Sequence, residues 1–396
     1  MLGVARARFD GTEFPERPQG FAFEFVGLIA LADPVRPTAA AAVKECGDAG
    51  IRVVMITGDY PGTAQSIAGQ IGLLSPGGVL TGAQLEDLSA AQLRIHAAKV
   101  NIFARMVPEQ KLVLVEALKA NGEIVAMTGD GVNDAPALKA AHIGVAMGGR
   151  GTDVAREAAS LVLLDDDFKS IVDAVRLGRR IYDNIRHAMS YLIAVHVPTA
   201  GMALLPLLFG WPMVLAPVHI VFLEFVIDPA CSIAFEAEPA HPSTMRRPPR
   251  NPKEPLLSAR LLWYAFLQGM VALVAVALLY YTVLEQGFTE ERARAMAFTA
   301  LVLGNAALIL SNRSQSRNIL TTLRMPNRAL WWIVGGALGG LAVALYLPPM
   351  QHLFKFEALI WSDLLPCLLV ALAASRLVRR VQYFREKNLG AHFRAR

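Results

Sequence analysis

Residues 128–137 read TGDGVNDAPA and directly follow EIVAM at 123–127, a short apolar run that reads as a strand. The tripeptide that opens this stretch occurs a second time, as Thr57-Gly58-Asp59, where it closes another β-branched run, IRVVMI at 51–56. Between the two copies lie a helix with apolar residues at Ile67, Ile71 and Leu74, a strand near 100–104, and a helix over 108–120 with proline in its first turn. Upstream, FAFEFVGLIALA at 21–32 is too short to cross a bilayer and reads as a buried strand. A helix over 38–48 follows, with Gly50 closing it. Strand and helix in alternation predict an α/β domain with a parallel sheet covered on both faces. In such sheets ligands bind beyond the carboxyl ends of the strands. Two strands that deliver the same Thr-Gly-Asp to that edge define a candidate site.

The residue types at this edge suit phosphate. Glycine after each strand lets the backbone come close to an anion and point its N–H groups at it. Thr57 and Thr128 add hydroxyls, and Lys111, on the intervening helix, adds a fixed positive charge for a phosphoryl group in transfer. Asp130 and Asp134, with Asn133 beside them, offer hard oxygen ligands suited to Mg²⁺. Two carboxylates next to a phosphate repel it unless a metal lies between them, so the set makes most sense with Mg²⁺. Taken singly, a Thr-Gly-Asp reads as a turn with a helix cap. Two copies with a lysine between them agree on one chemistry.

Continued through LKAAHIGVAMG at 138–148, the stretch resembles the hinge signature of the P-type (E1-E2) cation-transporting ATPases. Asp33-Pro34 with Arg36, MITGD at 55–59 and FARMVPEQK at 103–111 stand around it in that family's order and spacing. RRPPRNPKEPLLS at 246–258 resembles the cytoplasmic loop after the sixth membrane helix of the cation-pumping branch. The resemblance implies the C-terminal portion of such a pump, of the calcium/sodium-pump-like branch. It implies that the soluble part is a haloacid-dehalogenase-like, Rossmannoid phosphorylation domain with ATP as substrate. Thr57, Gly58 and Lys111 would then contact the phosphoryl group, Asp130 and Asp134 would hold Mg²⁺, and Asp59 and Asn133 would complete the catalytic set.

The sequence also departs from that pattern. Pumps of the family form an aspartyl phosphate on the aspartate of a DKTGT motif, and no such string occurs in these 396 residues. Asp10-Gly11-Thr12 is similar to the tail of the phosphatase motif DxDGT, but Arg8 occupies the nucleophile position, where covalent catalysis needs a carboxylate. Nor is there a match to the nucleotide-binding domain, the actuator domain or the first four membrane helices. The expectation is a chain inactive alone, working with an N-terminal half of the pump on a separate chain. Two alternatives stand beside it: a degenerate membrane protein that binds cations or a partner without hydrolysis, and a phosphatase using Asp10.

Composition places the rest in a membrane. Hydrophobic residues make up 54% of the chain and mean hydropathy is +0.40. Beyond residue 187, apolar runs of roughly 20 residues recur, the length that crosses a bilayer. Six spans are expected, near 188–210, 213–236, 259–281, 294–311, 329–349 and 359–377. The expected organisation is a phosphorylation domain at 1–164, a stalk helix at 165–187, a six-helix all-α transmembrane domain at 188–378 and a basic tail at 379–396. The stalk carries apolar residues at helical spacing from Phe168 to Ile185, with Arg176, Arg179, Arg180 and Arg186 near the headgroups. Basic residues cluster after alternate spans: Arg246, Arg247, Arg250 and Lys253, then Arg313, Arg317, Arg324 and Arg328, then Arg376 onward. The positive-inside rule then puts the soluble domain and both termini in the cytoplasm, with the plasma (cytoplasmic) membrane as the expected location. Topology thus accounts for the net charge of +5, and nucleic acid is not an expected partner. The three cysteines form no disulfide or zinc pattern.

Charge inside a span is costly and marks function. The second span holds Glu224 and Asp228, four apart and so on one helical face. Pro229 follows and frees the Phe225 carbonyl. His196 and Thr199 lie on the first span, with Pro198 between them. These oxygens suit a transported cation: Ca²⁺, a monovalent ion and proton coupling at Glu224 all stay open. Glu236 and Glu238 read as interfacial. With no Cys-Pro-Cys in any span, heavy-metal transport is disfavoured.

Overall fold

The computed structural model describes residues 2–11, 13–29, 34–313 and 327–394, and its contacts divide the chain into the units Met1–Asp173 and Ala174–Arg396. Thr12, Asp33, Arg317, Arg324 and Arg396, named above, lie outside the described residues.

In the first unit, strands β1 (Leu2–Ala7) and β2 (Phe23–Ile29) pair antiparallel into a two-stranded sheet of their own. The segment expected as a buried strand is therefore a strand, but an exposed one: Phe23, Phe25, Val26, Leu28 and Ile29 are all open to solvent. Its only ladder partner is β1, so no second layer covers it within the described residues. The rest of the unit runs α1 (Ala39–Asp48), β3 (Met55–Ile56), α2 (Pro61–Gln70), β4 (Val79–Thr81), α3 (Gly82–Glu86), α4 (Ala90–Ala97), β5 (Ile102–Ala104) and α5 (Pro108–Ala120). It continues with β6 (Ala126–Gly129), α6 (Ala135–Ala140), β7 (Ile143–Met147), α7 (Asp153–Ala158) and β8 (Leu161–Leu163). Gly50 does close α1: at φ 69° it takes the left-handed conformation, and Ile51 N reaches back to Cys46 O at 2.8 Å.

The ladders are parallel, as expected, but they form two sheets rather than one: β3-β5-β4 and β6-β7-β8. The reason lies in β3, which pairs over only two residues because 51–54 make no ladder. Side chains join what the ladder does not. Ile56 and Val125 pack against one apolar cluster that includes Val115, Met127 and Leu138. The two strands that end in Thr-Gly-Asp are thereby neighbours through packing.

The second unit is helical. Helix α8 (Phe168–Phe209) begins within the first unit and is followed by α9 (Pro217–Pro229), α10 (Ala259–Glu285), α11 (Glu290–Asn312), α12 (Arg328–Tyr346), a short α13 (Pro348–Phe354) and α14 (Trp361–Arg394). Among the described residues six helical stretches are long and apolar enough to cross a membrane, the second being α9 with the turn that continues it to Ala234, and each coincides in large part with one of the expected spans. The helix at α11 is the axis of the bundle: 72% of its apolar window is buried, against 28–39% for the others. Charged side chains at the helix ends are structural. Arg292 grips Asp363 with two bonds of 3.1 and 2.9 Å, and Arg294 donates to the carbonyls of Met213 and Lys355. Arg179 donates to the carbonyls of Thr244 and Arg247, and Arg247 pairs with Asp183 at 2.6 Å.

Three acids precede α8, and each has a bond to make. Asp165 accepts from Ser170, Asp167 from Thr38, and Asp166 from the backbone N–H groups of Gly149 and Arg150. Asp166 takes a left-handed φ of 53° to do so. The Gly149 and Arg150 amides hold its carboxyl below the ordinary 3.8, and the Ser170 hydroxyl acts the same way on Asp165. A carboxylate with a lowered pKa adds stability that is fully present above its unfolded value and disappears as pH falls through the lowered one. Hydrogen exchange at the Gly149 and Arg150 amides is therefore expected to be protected at neutral pH, with protection lost below about pH 4. Asp166→Asn should reduce that protection at neutral pH and flatten its acid dependence; unchanged protection would contradict the role given to Asp166.

Candidate functional site

The soluble edge is built from two turns tied to one helix. At the end of β3, Thr57 Oγ1 donates to Asp59 Oδ2 at 2.9 Å and accepts from Asp59 N at 3.1 Å, so the first Thr-Gly-Asp folds on itself. The backbone then locks this turn to the β5–α5 connection: Arg105 N donates to Asp59 O at 3.0 Å and Met106 N to Thr57 O at 3.1 Å. From that connection α5 starts at Pro108, its end capped by the Gln110 side chain on Val107 N, and it carries Lys111 one turn in. Arg105 escaped the sequence reading. It holds a left-handed φ of 55° and its guanidinium lies 5.8 Å over the Tyr60 ring, adding a second cation to this edge. A strained non-glycine residue at a ligand-binding edge is its structural signal, and a sequence does not print φ.

The second turn supplies the acids. After β6, a single 3₁₀ turn (Val132–Asp134) buries Asp134, whose Oδ1 takes Lys111 Nζ at 2.7 Å and whose Oδ2 takes Gly131 N at 3.3 Å. Sequence reasoning placed Lys111 and Asp134 in one site but gave Asp134 to Mg²⁺. In the structure Lys111 neutralises it, and both of its oxygens are engaged. The Asp134 charge therefore needs no metal to balance it. Asp130 is different: its backbone carbonyl accepts from Thr152 N, but its carboxylate is exposed and has no partner among the described residues. Asn133 is exposed beside it. The donor set fits Mg²⁺ in the form that keeps its waters and needs one or two carboxylates plus phosphate oxygens. Asp130 is the open carboxylate; Asp134 would join only if Lys111 let go. No cluster of three or more His, Cys, Asp or Glu able to hold a metal occurs among the described residues.

The membrane site is organised along α8 and α9. His196 on α8 bonds the Leu192 carbonyl through Nδ1 at 2.8 Å, and its Nε2 lies 3.6 Å from Glu224 Oε1 on α9. These two predicted residues do meet. Thr199 is buried and donates its hydroxyl to the Val195 carbonyl at 3.0 Å, which leaves its oxygen lone pairs for another partner. Asp228 is exposed, with no side-chain partner among the described residues. It shares its face with Val221 and Phe225, both also exposed. Pro229 ends α9, and Ser232 Oγ donates to the Asp228 carbonyl at 2.8 Å. Glu238, expected at the interface, is buried and paired with Arg313 at 2.6 Å. Burial of this pair was invisible because its members stand far apart in the chain.

A haloacid-dehalogenase-like unit with a phosphate-suited edge, joined to six membrane-crossing helices with carboxylates in one of them, defines the architecture of an ion-transporting ATPase portion. Comparison with known proteins agrees. The family described as haloacid dehalogenase-like hydrolase matches residues 6–142, and cation transporting ATPase, C-terminus, matches 212–384. A calcium-transporting ATPase of Bacillus subtilis is 39% identical over 347 residues, 85% of this chain and 38% of that protein. Calcium-transporting ATPase 1 of Schizosaccharomyces pombe is 36% identical over 86% of this chain and 39% of its own length. The human calcium-transporting ATPase type 2C member 1 is 33% identical over 92% of this chain and 40% of its own. The chain belongs to the P-type cation-transporting ATPases and spans about two fifths of the length of these curated relatives.

Gly129 carries a sharp test of the soluble edge. A Cβ there would lie 2.5 Å from Asp134 Cβ, far inside contact distance, so any side chain must push Asp134 off Lys111. Gly129→Ala should cost about 1–3 kcal/mol in denaturant unfolding. It should also shift the Lys111 ammonium resonance away from its ion-paired position. A variant as stable as the parent would contradict the packing described.

Proposed function

We propose that this chain is the part of an ATP-driven cation pump that receives phosphate at its soluble edge and binds the cation in its membrane helices. The observation that carries the reading is the coexistence, on one chain, of Thr57, Lys111 and Asp130 at a parallel-sheet edge and of His196, Thr199, Glu224 and Asp228 in two neighbouring spans. The missing nucleophile comes from a complementary segment with its own aspartate, on a separate chain or preceding this one.

Two features support a complementary segment. The β1–β2 sheet leaves apolar side chains exposed on both faces, Leu2, Val4 and Ile29 on one and Phe23, Phe25 and Leu28 on the other, and a two-stranded sheet in water is marginal at best. Asp228 and Phe225 are exposed on α9, and a carboxylate turned toward hydrocarbon is expensive. Further helices against that face would give Asp228 partners. The phosphatase alternative loses ground, since Asp10 follows β1, a strand in neither parallel sheet.

At the soluble edge, Thr57 donates its hydroxyl to a phosphoryl oxygen once Asp59 yields it, and Gly58 lets that oxygen approach the backbone. Lys111 offers its ammonium to the charge that develops in transfer, held ready by Asp134. Asp130 holds Mg²⁺, which when bound neutralises phosphate charge, and Asn133 stands beside it as a further oxygen donor. In the membrane, Glu224 and Asp228 bind the cation, and the His196 ring and Thr199 hydroxyl line the approach from α8. The cation is Ca²⁺ on this reading: an oxygen-only set with two carboxylates suits a hard divalent ion. The distribution of basic residues supports a cytoplasmic soluble unit, and the plasma membrane is the proposed location of the helices.

Vesicles containing this chain and a complementary segment with a DKTGT aspartate should take up Ca²⁺ with Mg²⁺-ATP. Lys111→Ala should slow uptake about 100-fold or more. Glu224→Gln should instead raise the Ca²⁺ concentration for half-maximal uptake at least about tenfold. Full uptake by the Lys111 variant would sink the phosphate role, and unchanged Ca²⁺ dependence would sink the membrane site.

A further inference from the structure

Helix α9 does not simply stop at Pro229. It passes into one wide turn, Ala230–Ala234, in which Phe235 N reaches the Ala230 carbonyl at 3.3 Å, five residues back. Such a turn holds one residue more than an α-turn and is found mostly at functional sites. The carbonyls below it would have no helical partners. Side chains from two other helices take them. Asn327, at the start of α12, donates to Ala234 O at 2.8 Å, and Asn184 of α8 donates to Glu236 O and Glu238 O at 3.3 and 3.0 Å.

The Glu238 carboxylate ties this together. Its Oε2 accepts from Arg313 Nε, at the end of α11, at 2.6 Å and from Asn327 Nδ2 at 3.0 Å. Asn327 also caps α12 through Leu330 N, so it cannot move without cost. Both members of the ion pair are nearly inaccessible, at 2% and 6% of their side-chain surface. A buried ion pair is a poor way to gain stability, because desolvation cancels most of the attraction. Its best-attested use is to fix register.

We infer that the Glu238–Arg313–Asn327 clasp sets the rotational register of α9, and thereby chooses the face on which Glu224 and Asp228 stand; the inference rests on the reading of those carboxylates as the cation site. The clasp holds the wide turn open. Without it the turn can relax to an α-turn by passing one residue along the helix, and each residue of an α-helix is a rotation of about 100°. That rotation takes Glu224 away from His196 and exchanges the exposed Phe225 for the buried Val226. Glu238, Arg313 and Asn327 are positioning residues: they touch no cation.

The test uses the full chain in lipid nanodiscs, with Glu238→Gln, Asn327→Ala and the double variant Glu238→Gln/Arg313→Met. The double variant removes the stranded buried cation that makes a single change unfold. Nitroxides at Phe225→Cys and Val226→Cys report oxygen accessibility, and thermal unfolding reports the fold. The parent should show label 225 accessible and label 226 shielded; the double variant, as stable as the parent, should reverse or equalise them. Ca²⁺ affinity, read in the vesicles with the complementary segment, should weaken by about 10- to 100-fold in the same variants. An unchanged accessibility pattern in the folded double variant overturns the inference, while a Glu224→Gln loss of affinity would leave the cation site standing. A changed pattern with unchanged Ca²⁺ affinity supports the clasp and overturns the reading of the site.

Discussion

A charge taken out of water needs a partner, and in this chain that requirement separates scaffold from site. Lys111 is held by Asp134, Arg292 by Asp363 and Glu238 by Arg313, each at 2.6–2.9 Å and each largely buried. Removing one member of such a pair strands the other. These pairs therefore fix where α5, α9, α11 and α14 stand. Asp130 at the soluble edge and Asp228 in α9, by contrast, have no side-chain partner among the described residues. On the proposed function, both lie where an acid would accept a cation.

The same logic divides the labour within each site. At the soluble edge, Asp134 spends its charge on Lys111 and so orients the lysine, while the Asp130 carboxylate has no partner among the described residues. In the membrane, Glu224 has a neighbour in His196 at 3.6 Å, too long for a strong bond, whereas Asp228 has none. The pair is loosely held on one side and open on the other. A binding site must be favourable to enter and possible to leave, and a tightly paired carboxylate would meet neither need.

Periodic and glycine-marked features were legible from the residues alone. The strands before both Thr-Gly-Asp copies, the helix bearing Lys111 and the six spans follow from repeat length, β-branched runs and turn residues. What was hidden depends on partners distant in sequence. IRVVMI looks like a full strand, yet only Met55 and Ile56 find a ladder partner, so one expected sheet became two. FAFEFVGLIALA looks buried because it is apolar, but burial needs a second layer, and β1 alone does not provide one. The ion pair between Asp134 and Lys111 was hidden because the spacing of Asp134 from Asp130 says nothing of a lysine 23 residues upstream. Glu238 and Arg313 are 75 residues apart, and nothing local to either announces the other.

The central claim is that this chain completes a phosphate site whose nucleophile it does not itself carry. Radiolabel from the γ-phosphate of ATP tests it most directly, with the purified chain alone and mixed with a complementary segment bearing the DKTGT aspartate. The account predicts acid-stable, hydroxylamine-labile label only in the mixture, on the complementary segment, and lost when Lys111 is replaced by alanine. Label on this chain by itself, or label in the mixture that is indifferent to Lys111, would contradict it.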